Sequence, residues 1–425
     1  MTQSAESERN EDAEVSAEVL AFTRVPLLDR QGALFAYELQ TRDVDTREGE
    51  AAKSAPTETL VEVFTNEHIQ RLIGKSRGLV RCNREFLLNH SDVLVSGGDM
   101  GVIVGQEIGF DDETLTVLEG IAGRGVLLMM DGLTRRDHVT PEIASRIADL
   151  MRHVRYVTLD ARAAHTNAEA VGEAIQRLHT LGIQVIAKRV DDHAAFRECQ
   201  RLGFDCFQGE YLFRPEAADV TRLKPNKLNV LRLLAAVQNP DNGPVELEQL
   251  IRNDAVLSYK LLNCVNSAYF NLPTKMKSLQ HAAIFFGVAR IRNWVYAMSL
   301  GSMDDSAPEL LKFALVRARM CELLGESLPR ELREQAFIVG LFSLLDTIMN
   351  APMHFVLEQV PVSDEIRKAL VEDDGPLAPL LGQVRAWETG YVVTIRSHTG
   401  NVVDLAQVYL DAAEWADEVY AFAGN

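Results

Sequence analysis

Cysteine is scarce in this chain and never arranged for chemistry. The five cysteines, Cys82, Cys199, Cys206, Cys264 and Cys321, stand in 425 residues without a C-x-x-C pair. An odd set so spaced offers neither a disulfide framework nor a thiolate zinc site and fits a reducing compartment. Basic residues are also short: 43 Lys and Arg face 61 Asp and Glu, a formal net charge of -18. With no local basic patch, that balance repels nucleic acid and anionic membrane surfaces. Long apolar runs are missing too. Those around 282–289 and 336–345 fall short of the ~18 residues a membrane-crossing helix needs. The acidic opening, Met1 to Asp12, has neither the basic nor the apolar region of a secretory leader, so residues 1–18 read as a disordered lead-in and the expected compartment is the cytoplasm. Internal repeats and further low-complexity tracts are lacking, which argues against a solenoid.

What is present is enough chain for two or three domains, each with its own core, at 47% hydrophobic and 24% charged residues. From about Val19 to Pro215, short apolar runs (78–83, 100–107, 125–131, 154–160, 183–188 and 204–208) alternate with helical segments such as 113–124, 141–152, 168–181 and 192–202. That alternation predicts a parallel sheet closed into a (β/α)8-type barrel, with an open doubly wound sheet as the competing arrangement. Several runs end on a polar residue: Asn83, Asp131, Asp160, Lys188 and Gln208. Parallel strands share one direction, so these ends are expected to meet at one rim. The charged stretch from Glu216 to Asn226, preceded by Pro215 and containing Pro225, marks a boundary. Beyond it the apolar spacing is three and four, as in Leu257, Leu261, Val265 and Ala268, so the second domain is expected to be all α. The division is 19–216 for the barrel, 217–226 for a linker and 227–425 for the helical domain.

Two segments carry a resemblance. Val25-Pro-Leu-Leu-Asp-Arg-Gln-Gly followed by Tyr37-Glu-Leu-Gln-Thr-Arg42, and Phe207-Gln-Gly-Glu-Tyr-Leu-Phe-Arg-Pro215 at the other end, resemble the E-A-L-x-R and Q-G-Y-x-F-x-x-P segments of the EAL domain. This is a cyclic di-GMP phosphodiesterase fold. The resemblance implies a barrel rim that holds two Mg or Mn ions between carboxylates and an Asn, assisted by a Lys and a further Glu. Paired cations of this kind neutralise the phosphodiester and generate hydroxide at neutral pH. By the same resemblance Glu38, Arg42, Asn83 and Gln208 keep their family identities, Arg42 and Gln208 being the nucleotide-binding pair. Asp131 and Asp160 remain, but the second carboxylate of D-D-F-G has become Gly132 and the Lys of K-I-D has become Thr158. Lys188 replaces a metal-binding Glu, and Asp191 stands in for the other. For the E-x-T-E ligand the candidates are Gly105 and Glu107, and a one-residue shift of the alignment decides whether that ligand is present.

An ammonium repels a cation from the place a carboxylate would hold it. Lys188 is therefore expected to act as built-in counter-ion to Glu38, Asp131, Asp160 and Asp191, with no metal. The bland alternatives are hydrogen bonding at loop entries for Asn83 and Asp160, an ion pair for Arg42 and a turn at Gln208-Gly209.

In the second half, Asp254 to Phe270 with its D-x-x-L-x-x-x-L-L-x-x-x-N-S-A spacing, then Ser278 to Gly287 and Trp294, resemble the HDOD domain, a helical relative of the HD phosphohydrolases. Metal binding there takes a His-Asp dyad with further His ligands. Here only His281, His354 and His398 are available, and Ser343 and Leu344 occupy the dyad positions. Asn266, Ser267 and Tyr269 have a structural reading, as helix cap and packing, beside ligand contact.

The order of the two resemblances matches a class of bacterial signalling proteins. It implies a regulatory protein without catalysis that acts through an unnamed signalling partner. The alternatives are a cyclic di-GMP receptor that does not hydrolyse, using Arg42 and Gln208, and a residual metal-dependent phosphodiesterase. The loop from Thr134 to Pro141 is unlike the family's glycine- and serine-rich version, so oligomeric state stays open.

Overall fold

The computed structural model describes residues 21–42, 57, 60–61, 68–96, 100–105, 108–132, 141–216, 223–238, 241–267, 270, 272, 274–303, 307–389 and 405–423. The acidic start, Glu107, Tyr269, His398 and most of the 134–141 loop lie outside these. For Arg42 only the backbone is described, at the end of a strand.

Eight strands form a closed barrel in sequence order: β1 (Ala21–Asp29), β2 (Leu34–Arg42), β3 (Gly78–Arg81), β4 (Met100–Val104), β5 (Leu127–Asp131), β6 (Val154–Asp160), β7 (Gln184–Lys188) and β8 (Cys206–Phe207). From β2 to β8 all neighbours are parallel, with helices between most of them. β1 departs from the expected all-parallel sheet, running antiparallel to both β2 and β8. The cause lies in the sequence between Asp29 and Leu34. Four residues cannot carry a crossover but can close a hairpin. The Asp29 carboxylate accepts the Gln31 and Ala33 amides at 2.9 Å each, and Gly32 takes a positive φ of 79°.

Side chains alternate across a strand, which settles what fills the barrel. Leu27, Ala36, Leu79, Ile103, Met129, Ile186 and Cys206 form a buried cluster of their own inside it, with Tyr156 packed against them. Two residues further on, the same alternation turns Glu38, Arg81, Gly105, Asp131, Thr158, Lys188 and Gln208 inward. The apolar plug is thus the floor on which a polar layer rests.

After the barrel the described elements are helices, beginning at Pro225, inside the expected linker. The Pro308–Leu324 and Arg330–Phe342 helices cross so closely at Gly340 that a Cβ there would lie 2.4 Å from the Arg317 carbonyl oxygen. The last helix, Leu405–Ala423, packs both on the Pro308–Leu324 helix and back on the barrel, against β1 and the His68–Ile73 helix. No helix among the described residues is long and apolar enough to cross a membrane.

Candidate functional site at the barrel mouth

Three of the five strand-end residues meet. Glu38 is 2% exposed. Its two oxygens lie 3.2 and 3.1 Å from Lys188 Nζ, and Oε2 also accepts from Gln208 Nε2 at 2.7 Å. Lys188 Nζ reaches Asp131 Oδ1 at 3.4 Å. Asp131 further accepts from the Arg81 guanidinium and the Thr158 hydroxyl, and that hydroxyl accepts the Gly132 amide at 3.0 Å. Two acids, two bases, an amide and a hydroxyl therefore form one network between β2, β3, β5, β6, β7 and β8.

Local backbone chemistry places Gln208. Val190 and Gln208 pair by a 3.1 Å hydrogen bond, and Tyr211 N donates to Val190 O at 3.1 Å. Gly209 passes so close to Val190 that a Cβ would fall 2.2 Å from its carbonyl oxygen, so only glycine fits. At the end of β7, Arg189 takes a φ of 58°, a left-handed turn that costs about 1–2 kcal/mol for a non-glycine residue. The turn separates the two cations: Lys188 serves Glu38 and Asp131, Arg189 serves Asp160.

The remaining expected residues do not join the network. Asp160 is met by Arg189, and its Oδ1 accepts the Arg162 amide at 3.0 Å as cap of the Ala161–Thr166 helix. Asp191 lies 3.1 Å from Arg162. Lys188 is thus counter-ion to two of the four acids expected of it, because Arg162 and Arg189 neutralise the other two. The carbonyl-type oxygen of Asn83 accepts the Phe86 amide at 2.7 Å and the Thr57 hydroxyl at 3.2 Å, as a helix-entry hydrogen bonder. Gly105 is buried at the end of β4 and brings no side chain. Arg81 and Thr158 are the members that motif matching passed over as site groups. Period-two counting from Leu79 and Tyr156 finds both.

Burial pushes the Asp131 carboxyl upward, but Lys188 and Arg81, with the Thr158 hydroxyl, outweigh it and hold it at about 2. A carboxylate whose folded value lies below its ordinary 3.8 stabilises fully above that range, and the stabilisation is lost as pH falls through about 2. The linkage is worth about 2 kcal/mol. Asp131→Asn should accordingly be less stable than the unsubstituted chain at pH 7, with the gap closing towards pH 2. Urea denaturation at pH 7, 4 and 2 measures it, and a gap that stays constant across that range refutes the assignment.

In the helical half, Ser343 at the expected dyad position is buried, donates to Gly340 O at 2.7 Å and accepts from Arg317 Nη1 at 3.2 Å. Arg317 itself grips Glu388 through Nε and Nη2, at 2.9 and 2.7 Å. His281 and His354 are exposed. Asn266 bridges helix and loop, donating to Leu262 O and Met276 O and accepting the Met276 amide at 2.7 Å, the work of a cap. A cleft of about 680 Å³ runs between the halves, lined by Gln208, Arg189 and Arg162 on the barrel side and by Arg317, Asp346 and Arg385 on the other. Burial raises the Asp346 carboxyl above its ordinary value and lowers the Arg385 guanidinium.

Comparison with known proteins adds identity to this geometry. The HDOD domain family matches residues 225–354. Over 407 residues the chain is 25% identical to the cyclic di-GMP phosphodiesterase CdgJ of Vibrio cholerae, covering 93% of this chain and 92% of that protein. It is 23% identical over 401 residues to the uncharacterized protein YuxH of Bacillus subtilis, covering 92% and 97%. Among solved structures, BlrP1 of Klebsiella pneumoniae with manganese and cyclic di-GMP aligns at 18% identity and TM-score 0.38, over 47% of this chain and 56% of that one. The FimX EAL domain of Xanthomonas citri with cyclic di-GMP aligns at 17% and 0.35, over 49% and 95%. The chain thus joins a closed eight-stranded barrel to a helical region in which residues 225–354 match the HDOD domain family.

Proposed function

We propose that this is a signal-transduction protein of the cyclic di-GMP type that has given up hydrolysis and works by binding, its output passing through protein contacts. The observation that carries the reading is the Lys188 ammonium, 3.1–3.4 Å from both Glu38 and Asp131. The residues present do not fit a pair of divalent ions. Each of Glu38, Asp131, Asp160 and Asp191 already faces a cation of the chain, and an ammonium where a carboxylate is needed opposes metal entry. Ser343 and Leu344 leave the helical half without its dyad.

A second reading, a receptor that binds cyclic di-GMP without cleaving it, is favoured by the cleft beside Gln208, whose arginines suit phosphate through paired N–H donors. The similarity to a named phosphodiesterase keeps a third, residual hydrolysis, in the experiment. The purified chain is incubated with cyclic di-GMP and Mn²⁺, and titrated with the nucleotide by calorimetry with and without the metal. The expected result is no turnover. Binding independent of metal selects the receptor, and absence of binding selects the pure protein-contact regulator. Turnover that appears with Mn²⁺ and stops on chelation overturns the proposal.

A further inference from the structure

A second site lies in the helical half, well apart in the fold from the barrel network. Its inner chamber, about 150 Å³, is lined by Phe270, Trp294, Phe337 and Trp415. It leads to a wider vestibule of about 410 Å³ lined by Arg290, Arg333 and Glu326 among others. Arg290, Asn293, Arg319 and Glu322 line both, at the throat between them.

Three observations say that this space is made for an occupant. Protein interiors are close-packed, and a chamber of this size is the kind that takes up a single aromatic ring. Next, the throat holds an unsatisfied polar group. Asn293, 7% exposed, lines this throat with its side-chain amide. Arg319 Nε is buried without a partner, although Nη1 of the same guanidinium holds Glu322 at 2.6 Å. A buried N–H left unpaired costs stability, so a ligand that pairs the Arg319 Nε gains what the empty protein forgoes. Finally, the vestibule keeps uncommitted cations. Arg290 and Arg333 form no ion pair among the described residues, whereas Glu322 and Glu334 are engaged by Arg319 and Arg330.

We infer that this pocket binds a small ligand made of one planar heteroaromatic ring joined by a short linker to an anionic group. The ring enters the aromatic chamber, where Trp294 already packs with Phe270 at 4.9 Å and with Phe286 at 5.2 Å, and Trp415 edge-on with Phe337 at 5.7 Å. Aromatic walls favour such rings by offset and edge-to-face contact. The Asn293 amide, both donor and acceptor, reads the ring's polar edge. The anion meets Arg290 and Arg333. A pyrimidine nucleotide and an aromatic amino acid share this chemistry. They differ in the ammonium of the second, for which Glu326 is the vestibule's free acid.

Two of the chain's three tryptophans line the chamber, so intrinsic fluorescence reports on it. The full chain is titrated with nucleoside monophosphates in one arm and tryptophan, phenylalanine and histidine in the other, by fluorescence and calorimetry together. Saturable binding in one arm is expected, and the arm names the source. The same ring without its anion should bind roughly tenfold more weakly, as should the ligand to Asn293→Leu and to Arg290→Ser. Arg290 is exposed, so Arg290→Ser keeps the test open if Asn293→Leu fails to fold. No saturable binding in either arm at millimolar ligand, or binding unchanged in Arg290→Ser together with a folded Asn293→Leu, overturns the inference.

Discussion

Lys188→Met is expected to cost the chain about 3 kcal/mol at pH 7, because it leaves the Glu38 carboxylate nearly buried without its cation. Removing one partner of a buried pair typically costs about 3–5 kcal/mol, and the low end applies here. Gln208 stays bonded to Glu38, and Arg81 continues to neutralise Asp131. In thermal unfolding this corresponds to a fall of about 6–12 °C for a domain of barrel size. Glu38→Gln placed on top of Lys188→Met should recover most of the loss, since an uncharged amide there has no counter-ion to miss. The same variant tests the metal argument from the other side. With the ammonium gone, Mn²⁺ should raise the melting temperature of Lys188→Met while leaving the unsubstituted chain unmoved, through binding to the native state alone. A loss below about 1 kcal/mol, or equal stabilisation of both chains by Mn²⁺, contradicts the counter-ion role.

How much of this network the sequence discloses follows from what each residue depends on. Glu38, Asp131, Lys188 and Gln208 are legible because strand ends repeat a local pattern, apolar run then polar stop, and parallel strands bring such stops to one rim. Asp160 ends its strand in the same way, yet its side chain turns to cap the following helix. The choice between rim and cap depends on Arg189, whose left-handed turn no periodicity shows. Arg81 is hidden for the opposite reason. It precedes Cys82 and Asn83, and Asn83 draws attention by its motif, while strand alternation quietly points Arg81 at Asp131. The antiparallel β1 was readable in principle, since four residues between two strands permit nothing else. The return of the Leu405–Ala423 helix to β1 was not, because nothing local couples Arg24 to Asp417 across 393 positions.

That long-range pair sets up the second large effect. Arg24 is 3% exposed, and its guanidinium donates to Asp417 through Nη1 at 3.0 Å and Nη2 at 3.3 Å, and to Leu72 O at 2.8 Å. It also stands 4.7 Å from the Tyr37 ring centre, and the Tyr37 hydroxyl donates to Glu309 of the helical half. Asp417→Ala therefore strips a buried cation of its only bidentate acid among the described residues. The expected cost is about 3 kcal/mol, with a coupling of about 2 kcal/mol in a double-mutant cycle with Arg24→Met. Exposed pairs on the same seam behave differently. Arg71 with Asp411 and Glu414, at 2.7 and 3.0 Å, is half open to water, so Asp411→Ala should cost less than about 1 kcal/mol. The larger loss should appear first at the seam, where Arg24 and Asp417 tie β1 to the last helix. Small-angle scattering should show a wider particle for Asp417→Ala, and limited proteolysis should release the two halves faster, while the circular dichroism of both halves persists. Because Arg189 and Arg317 line opposite sides of the cleft, a ligand that bridges them is expected to reverse the scattering change. Asp417→Ala with native dimensions and native protease resistance would show that the seam is held elsewhere.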